Sequence, residues 1–455
     1  MKVLITGATG LVGRHLIRRL LEGGHEIVAL TRNIDDAGIT LPVRCLIHEW
    51  FPDAGHLDAR ALDGVDGVVH LAGESVGDGK WNAERREALL RSRIDGTRTL
   101  VAAIAARPPE DRPWVMVSAS GIGIYGERGD ELLTEASDPG DGYLAEVCTA
   151  WEQEACRVEA AGLRWVGLRT GLVLAREGGV LPLMLPAFRL GAGGRLGNGR
   201  QWMSWIHVDD LVSLYVAALE NRAFEGPINA VAPHPVTNGD FSLALAAALG
   251  RRATLPVPAS LLGLVLGERS GLVLTGQRVA CTAADELGFE FRHPQVGPAL
   301  TDLCADLSKV LEQEIWFDLS PQDVFKFFSD ARNLEMITPA FLRFRITKAP
   351  DDGLFEGALI DYRLRLHGFP VRWRTRIDVW DPPRAFVDRQ IRGPYRSWHH
   401  THEFEALDGG TLVRDVVRYE LPFGALGDLV AGRMVERDVG LIFAYRRTRL
   451  LELLA

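Results

Sequence analysis

From residue 1 to about 120, short apolar runs alternate with segments whose apolar positions recur every three to four residues. Strands buried on both faces read as continuous apolar runs, and the helices that cross between them read as amphipathic, so this alternation predicts a parallel α/β sheet. Val3-Leu4-Ile5 is the first expected strand, and residues 11–21 follow with helical spacing and basic residues on the outer side. Residues 26–30, 68–72 and 114–118 are expected to be later strands. Each run ends at or beside a Gly, Ser or Thr, where ligand-contacting loops of such sheets lie.

After Pro294 the period changes. Residues 305–310 read as the tail of a helix and 314–319 as a new strand. Ser320 is expected to cap a helix that has Pro321 at its first position and Asp323 as the capping-box acid. Val371, Trp373, Thr375, Ile377 and Val379 then alternate with Arg372, Arg374, Arg376 and Asp378, the period of a half-buried strand. Further strands are expected around Phe386-Val387-Asp388 and residues 412–421, and a last helix over about 426–454. A sheet closed by a long terminal helix is the expectation for this part. The most apolar stretch between the two patterns, residues 261–266, soon meets Glu268 and Arg269 and is read as a buried segment, too short for a membrane span.

The chain of 455 residues is too long for one core, and 47% apolar with 24% charged residues is ordinary for a soluble globular protein. No basic segment followed by a long apolar one opens the chain, so no signal peptide is expected. Five dispersed cysteines without a C-x-x-C pair read as reduced thiols in a cytoplasmic protein. A formal charge of -9 argues against nucleic acid as a partner. Residues 314–455 carry 21 basic and 21 acidic side chains, so the acidic excess lies wholly upstream, as in two separately composed units.

The first chemical motif is Thr6-Gly7-Ala8-Thr9-Gly10-Leu11-Val12-Gly13, between an expected strand and an expected helix. Its glycines allow a tight turn, close approach to a pyrophosphate and close helix–strand packing, while the helix N-terminus offers unpaired N–H groups. Gly7, Thr9, Gly10, Leu11, Val12 and Gly13 are therefore candidate cofactor-binding residues. Leu30-Thr31-Arg32-Asn33 follows the second strand, with no acid before Asp35. An acid there would bind the ribose hydroxyl of NAD(H), whereas an arginine suits the 2'-phosphate of NADP(H). NADP(H) is thus the expected cofactor, NAD(H) the alternative, and Thr31 and Arg32 join the candidate site. For Arg32 the competing reading is a solvated surface arginine.

These motifs, with His70-Leu71-Ala72-Gly73, Ser118-Ala119-Ser120 before Ile124-Tyr125-Gly126, and Trp205-Ile206-His207-Val208-Asp209-Asp210, resemble extended short-chain dehydrogenases of Rossmann fold, a doubly wound parallel sheet. Ser92-Arg93-Ile94, Trp151-Glu152, the glycine-rich run 193–199, residues 226–229, and 276–279 with 287–289 resemble an atypical branch labelled epimerase family oxidoreductases, within the NAD-dependent epimerase/dehydratase superfamily. The resemblance covers about residues 1–300, with that branch's own extension from about 245, and adds Leu71, Ala72 and Gly73 to the cofactor residues. In the parent superfamily a Tyr in Y-x-x-x-K moves the substrate proton, helped by the Lys, and a Ser holds the substrate oxygen. Tyr143 matches the Tyr, but position 147 is Val, and the resemblance implies that Arg93 stands where an upstream Asn is usual. Tyr143, Ser120 and Arg93 are the candidate catalytic residues, with Ser118 the rival to Ser120. Cys148 reads as a buried helix residue rather than a nucleophile. His207, Asp209 and Asp210 read as a strand–helix junction with Asp209 as N-cap, and no metal is expected there.

Residues 301–313 are read as a linker and 314–455 as a second domain. Ser-Pro-x-x-Val-Phe, Asn333 to Pro339, Tyr362-Arg363-Leu364, Gly393-Pro394-Tyr395 and Trp398-His399-His400-Thr401-His402 resemble the START-like (SRPBCC) superfamily, whose α+β helix-grip fold encloses an apolar cavity. His400 and His402 share a strand face, but no acid or thiol at ligand spacing accompanies them, so no metal is expected. Phe325, Phe328, Trp373 and Phe404 read as core, and the resemblance implies that some of them line the apolar pocket. Three functions follow from these readings. One is an NADP(H)-dependent oxidoreductase or epimerase acting on a small carbonyl or hydroxyl compound, with an apolar ligand in the second domain. The others are a non-catalytic NADP(H) sensor or scaffold, and a carrier of lipids or small molecules.

Overall fold

Strand β1 (Lys2–Thr6) is buried along Val3 to Thr6 because neighbours flank it on both sides: β2 (Glu26–Thr31) and β5 (Gly67–His70), both parallel. The computed structural model describes all residues except Asp78, Lys80, Thr254, Asp352 and Ala455, and gives the backbone alone for Val265, Leu266, Glu268, Arg269 and Leu272. The chain divides into two compact units, Met1–Asp306 and Leu307–Ala455.

In the first unit β3 (Cys45–Phe51), β4 (His56–Leu57), β6 (Val115–Gly121), β7 (Arg164–Thr170) and β8 (Gly226–Ala230) complete an eight-stranded sheet of order β8-β7-β6-β5-β1-β2-β3-β4. All pairs are parallel except the short β3–β4 edge. Helices α1 (Leu11–Glu22), α2 (Ala83–Ala105), α3 (Tyr143–Ala155) and α4 (Val208–Glu220) belong to this unit. Helix α1 buries Gly13, Leu16, Ile17 and Leu20 and leaves Arg14, Arg18 and Arg19 exposed, as its spacing dictates. Strand order reverses between β1 and β5, and the crevice at that switch point, beyond the carboxyl ends of the strands, is where ligands of such sheets lie.

The second unit is a seven-stranded antiparallel sheet of order β9-β15-β14-β13-β12-β11-β10. Its strands are β9 (Lys309–Phe317), β10 (Arg345–Lys348), β11 (Leu359–Leu366), β12 (Phe369–Asp381), β13 (Ala385–Arg392), β14 (Ser397–Leu407) and β15 (Gly410–Glu420). Helix α5 (Pro321–Ser329) and the long α6 (Ala425–Leu453) complete a helix-grip fold. Ser320 caps α5 as expected: its Oγ accepts from the Asp323 amide and donates to the Asp323 carboxylate.

Some expectations need correction. The helix expected through 310 is Val296–Ala305 and stops there; β9 begins at Lys309, so the segment read as linker is helix over 301–305 and, over 309–313, strand paired with β15. Val379 is 46% exposed, since a register shift between Ile377 and Val379 breaks the alternation that puts Trp373, Thr375 and Ile377 inside. Within residues 261–266, Leu261 and Leu264 are exposed on the short helix Ala259–Leu266 rather than buried; the side chains of Val265 and Leu266 lie outside the described residues. No helix among the described residues is long and apolar enough to cross a membrane.

Candidate functional site

The glycine turn does what its spacing requires. Gly7 has φ +67, and a Cβ there would sit 2.9 Å from the Ala72 nitrogen, so the turn can lie directly on the chain leaving β5 only because Gly7 is bare. At Gly13 a Cβ would be 2.4 Å from the Gly7 carbonyl oxygen, which is how closely α1 packs on the turn. Helix α1 starts after Gly10 with no side-chain cap and no acid in its first turn. Its leading N–H groups thus face outward beside exposed Thr9 and Gly10, a cradle suited to an anion. At the end of β2 the Arg32 side chain is 67% exposed and sits 3.9 Å from Glu74, which holds Arg85 at 3.0 Å. Thr31 spends its hydroxyl on the backbone of Asn33.

Beneath this cradle runs a buried chain of hydrogen bonds whose proton positions can be worked out. Thr97 donates to the Arg93 carbonyl at 2.6 Å and accepts from the Trp151 indole at 3.1 Å. Its hydroxyl proton being spent, His70 Nε2, 2.9 Å away, must be the donor to Thr97. His70 Nδ1 is then an acceptor and takes the Thr6 hydroxyl proton at 2.7 Å, while the same Thr6 oxygen accepts from the Leu71 and Ala72 amides. Every member is satisfied with His70 neutral. Burial, with the nearby Arg93 charge, pushes its pKa down to about 4. This wiring fixes the Leu71–Ala72 segment against the turn. His70 was legible as part of a motif, but Thr97 as the hub was not.

Around the candidate catalytic residues the structure is more restrictive. Ser120 is buried and donates its hydroxyl proton to Glu152 at 2.6 Å. Glu152 in turn is gripped by two Arg169 nitrogens at 2.9 Å each. Arg169 continues to the Tyr125 hydroxyl, which donates to Asn229. Ser118, the rival, is fully buried and accepts from the Trp165 indole. Tyr143 opens α3 and donates its phenol proton to the Arg86 carbonyl at 2.5 Å, with the Arg86 guanidinium over its ring and Trp81 against its edge. Burial raises the phenol's pKa, and the charges of Arg93, Arg86 and Arg85 only partly offset that. Arg93 is buried over the Trp151 ring and against Gly73, and hydrogen-bonds the Leu89 and Glu74 carbonyls. It acts on Tyr143 through its charge. Cys148 lies under Gly121 and Gly123, and burial pushes its thiol up to about 11, the state of an inert core cysteine. Glu152, Arg169, Tyr125 and Asn229 were not picked as site residues, although Trp151-Glu152 stood among the family marks.

At the strand–helix junction the N-cap is His207, not Asp209: His207 Nδ1 accepts from the Asp209 amide. Asp210 is instead buried and accepts the Arg292 and His293 amides, tying the closing segment of the first unit to α4. His207 stacks on His293 at 3.8 Å.

The second unit holds a cavity of about 160 Å³ between its sheet and α6. Phe328, Leu364, Trp373 and Phe443 are among the apolar side chains that line it, with Tyr362, Asp388, His400, His402 and Arg446 as polar ones. Phe325 and Phe404 are core, as expected. The reading that no acid accompanies His400 and His402 is overturned: Asp388 lies directly across from His400 on β13, and Asp415 directly across from His402 on β15. Burial works to raise both carboxyls, but His400 and His402 outweigh it and hold them well below the usual carboxylate range.

Residues 3–231 match the NAD dependent epimerase/dehydratase family, 257–303 a domain of unknown function (DUF1731), and 317–441 the polyketide cyclase / dehydrase and lipid transport family. An epimerase family protein SDR39U1 homolog, chloroplastic, of Arabidopsis thaliana is 41% identical over 300 residues, 66% of this chain and 86% of that protein. The crystal structure of human epimerase family protein SDR39U1 with NADPH superposes with a TM-score of 0.60 at 33% identity, covering 68% of this chain and all of that one. A nucleoside-diphosphate sugar epimerase from Corynebacterium glutamicum gives 0.54 at 36% identity, over 67% of this chain and 59% of that one. Glycine turn, switch-point crevice and extension agree with these matches, and the chain belongs to the NAD dependent epimerase/dehydratase family, in its SDR39U1-like branch, with a polyketide cyclase-type helix-grip domain at its C-terminal end.

Proposed function

We propose that the first unit binds NADP(H) and acts as an oxidoreductase or epimerase on a small carbonyl or hydroxyl compound, and that the second unit holds an apolar molecule. The observation that carries the cofactor reading is the uncapped α1 N-terminus behind the glycine turn, with loosely paired Arg32 rather than an acid at the end of β2. The NADPH held by the human relative supports it. In this role Gly7, Thr9, Gly10, Leu11, Val12 and Gly13 cradle the pyrophosphate, Thr31 and Arg32 meet the ribose phosphate, and Leu71, Ala72 and Gly73 border the dinucleotide.

Bound NADPH would supply a hydride; the chain's part is to place a proton. With Val147 where a lysine is usual and its pKa raised, Tyr143 keeps its proton and is suited to give it to an oxygen gaining charge, the direction of carbonyl reduction. A fluorescence titration is expected to show NADPH binding about tenfold tighter than NADH, a margin of about 1.4 kcal/mol, that Arg32→Ala erases. Equal affinity for the two in the wild type would remove Arg32 from the site.

A second reading, an NADP(H)-dependent sensor without turnover, is favoured by one observation: the Ser120 proton is committed to a carboxylate itself locked by Arg169. Slow NADPH oxidation with a test aldehyde that disappears in Tyr143→Phe supports the reductase; tight binding with no oxidation supports the sensor. For the second unit, a cavity of about 160 Å³ seats roughly one aromatic ring, as an apolar cavity of about 150 Å³ takes benzene. The five cysteines are all free thiols, and a cytoplasmic setting belongs to the same proposal.

A further inference from the structure

Three ionisable side chains, Asp388, His400 and His402, line the polar end of the second unit's cavity, and a fourth, Asp415, lies against the two histidines; three adjacent strands bring them together. His400 and His402 stand two residues apart on β14 and so point the same way. Asp388 and Asp415 are their direct cross-strand neighbours. His400 lies 3.3 Å from Asp388 through Nδ1 and 3.3 Å from Asp415 through Nε2. His402 lies 3.3 Å from Asp388 through Nε2 and 2.6 Å from Asp415 through Nδ1. All four imidazole nitrogens therefore face carboxylate oxygens. The rings are locked in place, with His400 and His402 3.8 Å apart and Phe386 stacked on His402 at 4.1 Å.

Protons satisfy this arrangement only at a cost. A neutral imidazole carries one N–H, so each neutral ring would set a bare nitrogen lone pair against a carboxylate. Protonating both rings gives every nitrogen an N–H for a carboxylate, consistent with the lowered carboxyls, but it stacks two cations at 3.8 Å beside the Arg446 guanidinium, which faces the same cavity. His400 Nε2, His402 Nδ1 and the Asp415 Oδ1 are buried and make no hydrogen bond of good geometry, though they lie within reach of one another. These side chains are 4%, 5% and 1% exposed, too deep for bulk water to compensate. A dication beside Asp388 would take that carboxylate and one nitrogen from each ring, His400 Nδ1 and His402 Nε2, and leave the other two nitrogens as N–H donors to Asp415. The candidate atoms of Asp388, His400 and His402 lie within 4.8 Å of one another, a spread that ligands on one ion can adopt.

We propose that Asp388, His400 and His402, oriented by Asp415 behind the two rings, form a binding site for a first-row divalent transition metal, its open side facing the apolar cavity. Two imidazoles with a carboxylate are a borderline donor set that suits Zn²⁺, Fe²⁺ or Co²⁺ over Mg²⁺ or Ca²⁺, which prefer oxygen alone. The site is independent of the dinucleotide cradle and of the reaction proposed for the first unit.

The test uses the full-length, tag-free protein, stripped with a chelator and titrated with Co²⁺ as the probe. The expected result is a visible d–d absorption band that saturates at about one equivalent, with binding about tenfold weaker or worse in His402→Gln and in Asp415→Asn. His399→Gln, at the exposed neighbouring position, is expected to bind as the wild type does. Should the site variants fail to fold by circular dichroism, Zn²⁺-induced shifts of the His400 and His402 ring nitrogens in the wild type, read by ¹⁵N NMR, replace them. No cobalt band and no histidine shifts would overturn the proposal. So would cobalt that survives His402→Gln and is lost in His293→Gln, which would place it at the His207–His293 pair instead.

Discussion

His70 is a histidine that cannot afford a second proton. Its Nδ1 already accepts from Thr6, so protonation must break that bond and bury a charge near Arg93. With a folded pKa near 4 against about 6.5 unfolded, the unfolded chain binds more protons between those values. Stability from this group is therefore fully present above about pH 6.5 and is lost as pH falls towards 4, by about 3 kcal/mol in all. Urea unfolding of the first unit across that range should show the slope, and His70→Asn should flatten it; ¹⁵N NMR should find the proton on Nε2. Glu152 makes the complementary case. Glu152→Gln leaves the buried Arg169 guanidinium short of its counter-charge, and a loss of about 3–5 kcal/mol is expected by urea unfolding. Ser120→Ala should cost only about 1–3 kcal/mol, the worth of one hydrogen bond to a charged group. Neither Glu152, the partner of Ser120, nor Arg169, which holds Glu152, could be read from the sequence. Glu152 is 32 residues away and Arg169 farther still; the pairing of β6 with β7 sets Ser120 beside Arg169, and the packing of α3 on the sheet brings Glu152 to both.

At the level of elements, the glycines separate into those a neighbour needs bare and those with open space. Gly13→Ala would push a methyl against backbone oxygen, so it should lower NADPH affinity more than tenfold and reduce the melting temperature. A Cβ added at Gly38, inside the helix Ile34–Thr40, would meet nothing within 4 Å, and Gly38→Ala should stabilise by up to about 1 kcal/mol. Thermal melts with and without NADPH check both. The elements themselves were largely legible: α1, β1, β2, α5 and α6 fall close to the apolar periodicity, because each has a plain burial pattern and caps or glycines at its ends. The misreadings have local causes. Val379 points out because a bulge, which no period announces, shifts the register. Residues 309–313 looked like linker because their partner strand lies about 100 residues downstream. Asp388 and Asp415 are hidden for the same reason: a cluster spread over three strands has no spacing to find.

For the molecule as a whole, two units with separate apolar cores lead to an expectation for unfolding. Calorimetry of the full chain should resolve a transition for residues 1–306 that NADPH at about a hundred times its dissociation constant stabilises by about 2.7 kcal/mol. The transition of residues 307–455 should not move with NADPH, and a shift of both together would show that they unfold as one.

The pairing of β9 with β15 also sets an order of events during synthesis. Lys309 lies opposite Tyr419, so about 110 residues must leave the ribosome after Lys309 before its partner exists. At about 5–20 residues per second, β9 waits roughly 5–20 seconds, with Leu311, Ile315 and Phe317 still lacking their final neighbours. The sheet of residues 1–306 needs nothing from beyond Asp306 and can close during that wait. A nascent chain stalled before β15 should therefore carry a protease-resistant N-terminal part and a protease-sensitive segment after it, and the time in between is when this protein has most need of a chaperone.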